Sequence, residues 1–581
     1  MSENGTNTQG TEQEPVPVSS GVSRRKFLGG IGGAAVVAGA GAIPLVRQAV
    51  QAEVDARGGD DDNGEARGDG NRAETAYQIR VDAAKAERKA FHPRLLDNGD
   101  ENRYPNRIGS YSKGLPHNSS GEVDAFAWAS FKRALDSGSP ADFEDMILGG
   151  GRPQTNPQSG LAFDLEGADA HAVTAPPAPT LASAEEAGEG VELYWMALLR
   201  DVNFTDYAGH PDVAAACADL NHVADFRGPR QGGAVTPQTL FRDILPGCSV
   251  GPYMSQFMLL PTPFGSEFVS RQQRTLLPDT DKMTSFNDWL TVQNGGTTAE
   301  KNLFDPQRRW IRNGRDLSAW VHMDVLFQAY FNALLILGTP PNSVDAESGG
   351  VGCPVNPGNP YNGSRTQIGF GTFGPPGIAA LLCEVASRGL KATWNQKWFV
   401  HRRLRPEAFG GVVHVQKTSH RYPGVLHTDI LSSQALVRTF NKWGTYLHPQ
   451  AFPEGSPTHP SYTAGHATVA GACVTILKAL FDESFVFQHP VVPTDDGLSL
   501  VPYTGATLTV GGELNKIASN IGTGRNIAGV HWRSDALQSI LLGEQIAISI
   551  LRDQRGLYNE NREGFFRGYH FTKFDGTRIT V

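Results

Sequence analysis

The chain is predicted to be mainly α-helical, built from packed helical bundles with long loops and minor β structure. Three observations lead there. After residue 75, apolar residues recur every three to four positions, the spacing that gathers them on one helix face. Loops rich in Pro, Gly, Asn and Asp separate these stretches, at 101–121, 147–180, 339–375 and 483–510. Convincing β alternation is scarce: Thr507–Val510 and Arg578–Val581 are the two candidates, for a brief pairing.

Taken in order, residues 1–52 stand apart. Ser23-Arg24-Arg25-Lys26-Phe27-Leu28 precedes a Gly/Ala-rich apolar run to Val46, and Val50-Gln51-Ala52 offers small residues for cleavage. This reads as a twin-arginine signal peptide, predicting export to the periplasm or beyond; an uncleaved anchor is the other reading. No later stretch approaches eighteen unbroken apolar residues, so no membrane association is expected after cleavage. Residues 53–74, with Asp60-Asp61-Asp62 and many glycines, read as a disordered acidic linker. The body, 75–581, divides into an N-terminal arm (about 75–184) and a helical-bundle core (about 185–555). Helices are expected at 75–92, 122–136, 185–200, 211–224, 315–337, 376–389, 392–404, 429–443, 461–481, 511–522 and 533–553. The arm is poorer in apolar periodicity; it either embraces a neighbouring subunit or extends over the surface.

Composition excludes several classes. A 39% hydrophobic, 19% charged chain of 581 residues is soluble and globular in type. Its formal charge of −9 argues against a nucleic-acid partner. Five cysteines occur without a Cys-x-x-Cys, which excludes a zinc ribbon, a redox dithiol and c-type haem attachment. An exported protein can oxidise a pair such as Cys248 with Cys353, and spacing does not choose the pair.

The chemistry concentrates in three stretches. The first is Lys397-Trp-Phe-Val-His-Arg-Arg-Leu-Arg405-Pro406. Pro406 disfavours helical geometry at Arg405, which is therefore expected at the end of the 392–404 helix. Eight residues of helix rise about 12 Å, so Lys397 and Arg405 would meet one anion by reaching from opposite sides. Because Arg402 and Arg403 lie between them, an ordinary basic surface helix is the plainer alternative. The second stretch is His459-Pro-Ser-Tyr-Thr-Ala-Gly465-His466, with Gly465 and His466 just inside an apolar helix. Val469, Ala470 and Cys473 share the His466 stripe, which predicts a buried imidazole. Helix-start N–H groups favour an anion, and Gly465 permits its close approach. The third stretch is Arg525-Asn-Ile-Ala-Gly-Val-His531-Trp-Arg-Ser-Asp535. Arg525 and His531 share no helical face, so a loop must bring them together. Asp535, four residues after His531, can hold one ring nitrogen and leave the other lone pair free. A helix-start ion pair involving Arg533 is the alternative. Together the stretches offer what a phosphate-sized oxyanion needs: fixed cations, N–H donors, and two imidazoles.

In this order the three stretches resemble the vanadium-dependent haloperoxidases, of the bromoperoxidase type, which share an active-site plan with acid phosphatases. Glu192-Leu-Tyr-Trp-Met-Ala-Leu-Leu-Arg-Asp201, Gly251-Pro-Tyr-Met-Ser-Gln256 and Ile311-Arg-Asn-Gly-Arg-Asp-Leu317 extend the likeness to red-algal and bacterial members. The resemblance implies a vanadate cofactor whose vanadium is bonded by His531, with Lys397, Arg405, Arg525 and the Gly465 N–H on its oxygens. It implies that His466 hydrogen-bonds the apical oxygen and moves the proton when hydrogen peroxide binds, and that Lys397 polarises the peroxide. Bromide or iodide would then become hypohalous acid, which halogenates an organic acceptor. His459 stands where bromoperoxidases tend to carry His, which implies little chloride oxidation. Trp394 lines the halide approach or packs. The family usually has Ser where this chain has Ala464; that loss predicts weaker vanadate binding or slower turnover, and adjacent Thr463 is not expected to compensate. Red-algal relatives imply a homo-oligomer. Calcium is not supported, because residues 354–375 contain no Asp or Glu. Two rival functions share the pocket: an acid phosphatase with His531 as nucleophile, and a catalytically weak oxyanion-binding member resulting from Ala464.

Overall fold

The structure, a computed structural model, describes residues 72–341 and 349–581. The export signal lies outside them, as does the acidic linker except residues 72–74. The chain divides into two units, Met1–Lys85 and Ala86–Val581. The described part of the first is the start of a helix over Arg72–Lys89, none of whose residues is buried.

In the second unit the first long helix is α1 (Ala125–Ser137), capped by Asp124, whose carboxylate accepts from the Phe126 and Ala127 N–H groups. Helix α2 (Ala184–Leu198) is capped by Ser183, and α3 (Pro211–His222) opens on a proline at its first position. The predicted 315–337 helix is two: α4 (Gly314–Met323) and α5 (Gln328–Gly338), bent by 98°. Asp324 sits extended at the break. The two helices expected over 376–404 form one, α6 (Pro375–Asn395), which widens into a π-helical turn at Gln396–His401. Such turns displace side chains from the α-helical stripe and recur at functional sites. Then follow α7 (Pro406–Ser419), α8 (Gln434–Trp443), α9 (Gly465–Leu480), α10 (Val510–Ile527) and α11 (Arg533–Leu557). The 429–443 prediction is broken at Ser433, which caps α8 by accepting from the Ala435 N–H.

Helix α9 is the axis of the core. All its residues are buried except His466. Each fully buried Val, Ile or Leu there contributes about 1.5–3 kcal/mol. Glycines allow its close approach to α11. A β-carbon at Gly471 would lie 2.0 Å from the Ile540 carbonyl oxygen, and one at Gly543 would lie 2.0 Å from that of Thr468. Helix α10 runs past the expected boundary because Gly522 and Gly524 are packing positions, where a β-carbon would lie 2.9 Å from Ala536 and Leu317 atoms respectively.

Among the described residues the strands are short and pair as four two-stranded antiparallel sheets. Arg578–Thr580 pairs with His570–Thr572 and not with 507–510. That segment holds no strand; Thr509 instead caps α10. All five cysteines are free thiols, Cys248 and Cys353 included. Residues from the 75–184 region form a second apolar cluster of Tyr111, Leu115, Trp128 and Phe131 around Trp398. This cluster clamps the π turn from outside. No single helix among the described residues is long and apolar enough to cross a membrane.

Candidate active site

The π turn aims Lys397 inward. Its side chain is fully buried, and Nζ donates to the carbonyls of Pro460 (2.7 Å) and Ser461 (2.8 Å). At Arg402 the chain turns back with φ 43°, and Arg405 is extended (φ −84°, ψ 156°) as the residue capping α7. The proline restriction thus acts as expected. The consequence differs, however: Arg405 opens the next helix instead of closing the last, so no 12 Å helical rise separates it from Lys397. Arg402 and Arg403 are buried, not part of a basic surface helix. Arg405 is held by four acceptors. Nε donates to the His459 carbonyl (3.0 Å), Nη1 to the Val530 carbonyl (2.7 Å) and to His531 Nε2 (3.1 Å), and Nη2 to His459 Nδ1 (2.8 Å).

The second stretch ends on Ala464, which precedes α9 and supplies no side-chain cap. Among the described residues neither the Gly465 nor the His466 N–H has an acceptor. A β-carbon at Gly465 would lie 3.1 Å from the Trp394 ring. Trp394 also packs on His459 with ring centroids 4.9 Å apart, and its ring lies 5.8 Å from Lys397 Nζ. The Thr463 hydroxyl is taken by that of Thr393, so it does not stand in for a serine at 464. His466 departs from expectation. Its side chain is 21% exposed, because the first turn of α9 looks out of the core, and Nε2 lies 3.1 Å from Asp324 Oδ1.

In the third stretch a reversal at Gly529 (φ 89°) joins α10 to α11 and brings His531 back beside Arg405. A β-carbon at Gly529 would collide with Gln450, 2.6 Å away. Asp535, in the first turn of α11, lies 2.9 Å from His531 Nδ1 as its spacing predicted. Arg533 takes no part, since it pairs with Glu192. Arg525 donates from Nη1 to the Val321 carbonyl (2.8 Å), while its buried Nε has no acceptor.

Lys397, Arg405 and Arg525 are all buried, and among the described residues none forms an ion pair with a carboxylate. Burial, then the neighbouring Arg405, holds the Lys397 amine well below its ordinary range. Burial, then Arg525, pulls Arg405 down to about 10. Burial is also the first cause that lowers His466, His459 and His531, the last two far below the usual imidazole range. Unpaired buried cations are costly unless an anion joins them. Idle helix-start N–H groups and an idle guanidinium N–H are suited to its oxygens. Among the described residues no group of three or more His, Cys, Asp or Glu could hold a metal cation. The donor set therefore fits an oxyanion such as vanadate, with His531 Nε2, which here accepts from Arg405 Nη1, as the imidazole nitrogen for its central atom.

Sequence reasoning missed four participants. Ser461 bonds the same Asp535 oxygen as His531 does, and Arg403 bonds the other. Asp324 carries no local signal, because it meets His466 only through the α4–α5 bend. Gln450, against Gly529, is equally remote in sequence.

Comparison with known proteins identifies relatives of this chain. A family model described as the VCPO second helical-bundle domain matches residues 389–560. The vanadium-dependent bromoperoxidase of Corallina officinalis is 38% identical over 88% of this chain and 98% of its own length. That of Ascophyllum nodosum is 36% identical over 85% and 91%. The homohexameric structure of the second vanadate-dependent bromoperoxidase from Ascophyllum nodosum superposes with a TM-score of 0.83 at 32% identity, covering 90% of this chain and 92% of that one. The fold and its buried cationic pocket define a helical-bundle enzyme class built to hold an oxyanion. The chain belongs to the vanadium-dependent bromoperoxidase family.

Proposed function

We propose that the protein is a vanadate-dependent bromoperoxidase that oxidises bromide, and iodide, with hydrogen peroxide. Bromide loses two electrons, the peroxide O–O bond breaks, and with one proton taken up the products are hypobromous acid and water. The acid, or its equivalent, halogenates an organic acceptor. The observation that carries this reading is His531: Nδ1 is tied to Asp535 at 2.9 Å, and Nε2 faces the Arg405 guanidinium among buried cations. When bound, vanadate supplies a Lewis acid that activates peroxide without changing its own oxidation state.

The protein's residues supply the rest. His531 Nε2 would be the vanadium ligand, in exchange for the Arg405 hydrogen bond that it accepts here. Lys397, Arg405, Arg525 and the Gly465 N–H would hold the vanadate oxygens and supply the positive charge and N–H donors there. His466, steadied by Asp324, takes the proton of hydrogen peroxide and returns it to the leaving oxygen. Lys397 would donate to the peroxide in the pocket and polarise it towards the halide. His459 and Trp394 form the wall beside Lys397 and are assigned to the halide approach.

The identity to named bromoperoxidases, 36–38%, supports this function over phosphatase or inactive binder. The hexameric Ascophyllum nodosum structure supports a homo-oligomer. The Arg24-Arg25 pair and the apolar run behind it support export by the twin-arginine route. The test is reconstitution with orthovanadate, then peroxide-dependent halogenation with bromide, iodide and chloride in turn. Bromide and iodide turnover with little chloride turnover is expected. Hydrolysis of p-nitrophenyl phosphate without vanadate, together with no bromination, would overturn the reading.

A further inference from the structure

Arg403 lies behind the pocket and touches none of the groups assigned to the anion, yet its guanidinium is the hub of a buried charge cluster. The side chain is 1% exposed. Nη1 donates to Asp535 Oδ1 (2.7 Å) and to the Ser534 hydroxyl (2.8 Å), while Nη2 donates to Glu186 and to Glu189 Oε2 (3.1 Å). Glu189 in turn accepts from the Ser534 N–H (2.9 Å), which fixes the first turn of α11. The guanidinium carbon lies 4.7 Å from the centre of the Trp532 ring. The Arg403 main chain also takes part: its carbonyl accepts from the Ser461 N–H (3.0 Å), and the Ser461 carbonyl is one of the two that hold Lys397.

The two oxygens of Asp535 therefore have separate tasks. Oδ1 faces Arg403. Oδ2 faces His531 Nδ1, the Ser461 hydroxyl and the Trp532 N–H (3.3 Å). Without a donor on Oδ1, the buried carboxylate would lose its counter-charge, and its hold on Nδ1 would weaken. The imidazole tautomer is set by the bond that its far nitrogen makes. A forked guanidinium satisfies this requirement better than an ammonium, because it can bond Asp535 and the two glutamates at once in one plane.

We propose that Arg403 is a positioning residue for the vanadium-binding histidine: through Asp535 it fixes the proton on His531 Nδ1 and keeps the Nε2 lone pair available to the anion pocket. This rests on the bromoperoxidase reading above. Arg403 acts on the bond to the central atom and leaves the cationic cage, Lys397, Arg405 and Arg525, in place. Vanadate uses both the cage and the lone pair, whereas orthophosphate as an equilibrium ligand uses chiefly the cage.

The experiment compares orthovanadate and orthophosphate binding to the full-length apoprotein by calorimetry, for wild type, Arg403→Gln and Arg403→Lys. Second-sphere partners of a ligating histidine typically govern roughly 10–100-fold of metal affinity. Arg403→Gln is expected to weaken vanadate binding within that range and phosphate binding by no more than about threefold. Arg403→Lys, which keeps the charge but loses the fork, should fall between. If Arg403→Gln does not fold, as judged by circular dichroism, the vanadate-to-phosphate ratio of Arg403→Lys decides. An equal loss for both anions would mean that Arg403 only supports the pocket, and would overturn the proposal, as would no loss for either. A wild-type protein that binds phosphate but not vanadate would instead overturn the function on which the proposal rests.

Discussion

Replacing Ala464 by serine tests whether the pocket lacks one donor. Residue 464 immediately precedes α9, is buried, and makes no side-chain bond to the helix. Its nearest hydroxyl-bearing neighbour in sequence, Thr463, is committed to Thr393. A serine hydroxyl at 464 can accept from an idle first-turn N–H and donate its own hydrogen to a bound anion. A hydrogen bond to a charged acceptor contributes about 1.5–3 kcal/mol, which corresponds to roughly 10–150-fold in affinity. A helix cap alone contributes about 0.5–2 kcal/mol, and to the stability of the empty protein. The two contributions separate by measurement. Calorimetric titration with orthovanadate reads the first, and thermal unfolding of the apoprotein reads the second. Tighter vanadate binding by tenfold or more in Ala464→Ser is expected. Raised stability with unchanged affinity would show that the new hydroxyl only caps α9, and the reasoning about a missing donor would be wrong.

Other consequences can be measured independently. Asp324 raises the His466 imidazole against the stronger effect of burial, so Asp324→Asn should lower it further. The acid limb of the bromination pH profile should then move to lower pH, and kcat should fall roughly tenfold with vanadate affinity nearly kept; an unmoved profile would remove Asp324 from the mechanism. Lys397 and His466 are both depressed in the empty pocket, and an anion beside them raises both. Vanadate binding should therefore take up protons and weaken as pH rises, as read by calorimetry in buffers of different ionisation enthalpy; net proton release would contradict the charge assignment. Burial holds His448 at about 3 against an ordinary value of 6.5. The unfolded chain then binds the extra proton in that window, so this residue costs about 1.4 kcal/mol of stability per pH unit on acidification from 6.5 towards 3. His448→Gln should flatten the slope of stability against pH between 5 and 6.5 by that amount per pH unit in urea melts; an unchanged slope would mean that His448 is not held neutral.

The amino-acid sequence by itself determined the helical class, the spacing of Asp535 from His531, the extended backbone at Arg405, and the identity of every cation in the pocket. All of these are local: they follow from periods of three to four residues and from the steric rule before proline. The tertiary structure decided what local pattern does not encode. It split the 315–337 helix and thereby placed Asp324 on His466. It reversed the chain at Arg402, which buried Arg403 against Glu186, Glu189 and Asp535, where the sequence offered an equally good basic surface helix. It also turned His466 outward although its stripe is apolar, because the side chain of a helix's first turn answers to what lies beyond the helix end. A buried charge is placed by partners hundreds of residues away, and only the folded chain brings those partners within bonding distance.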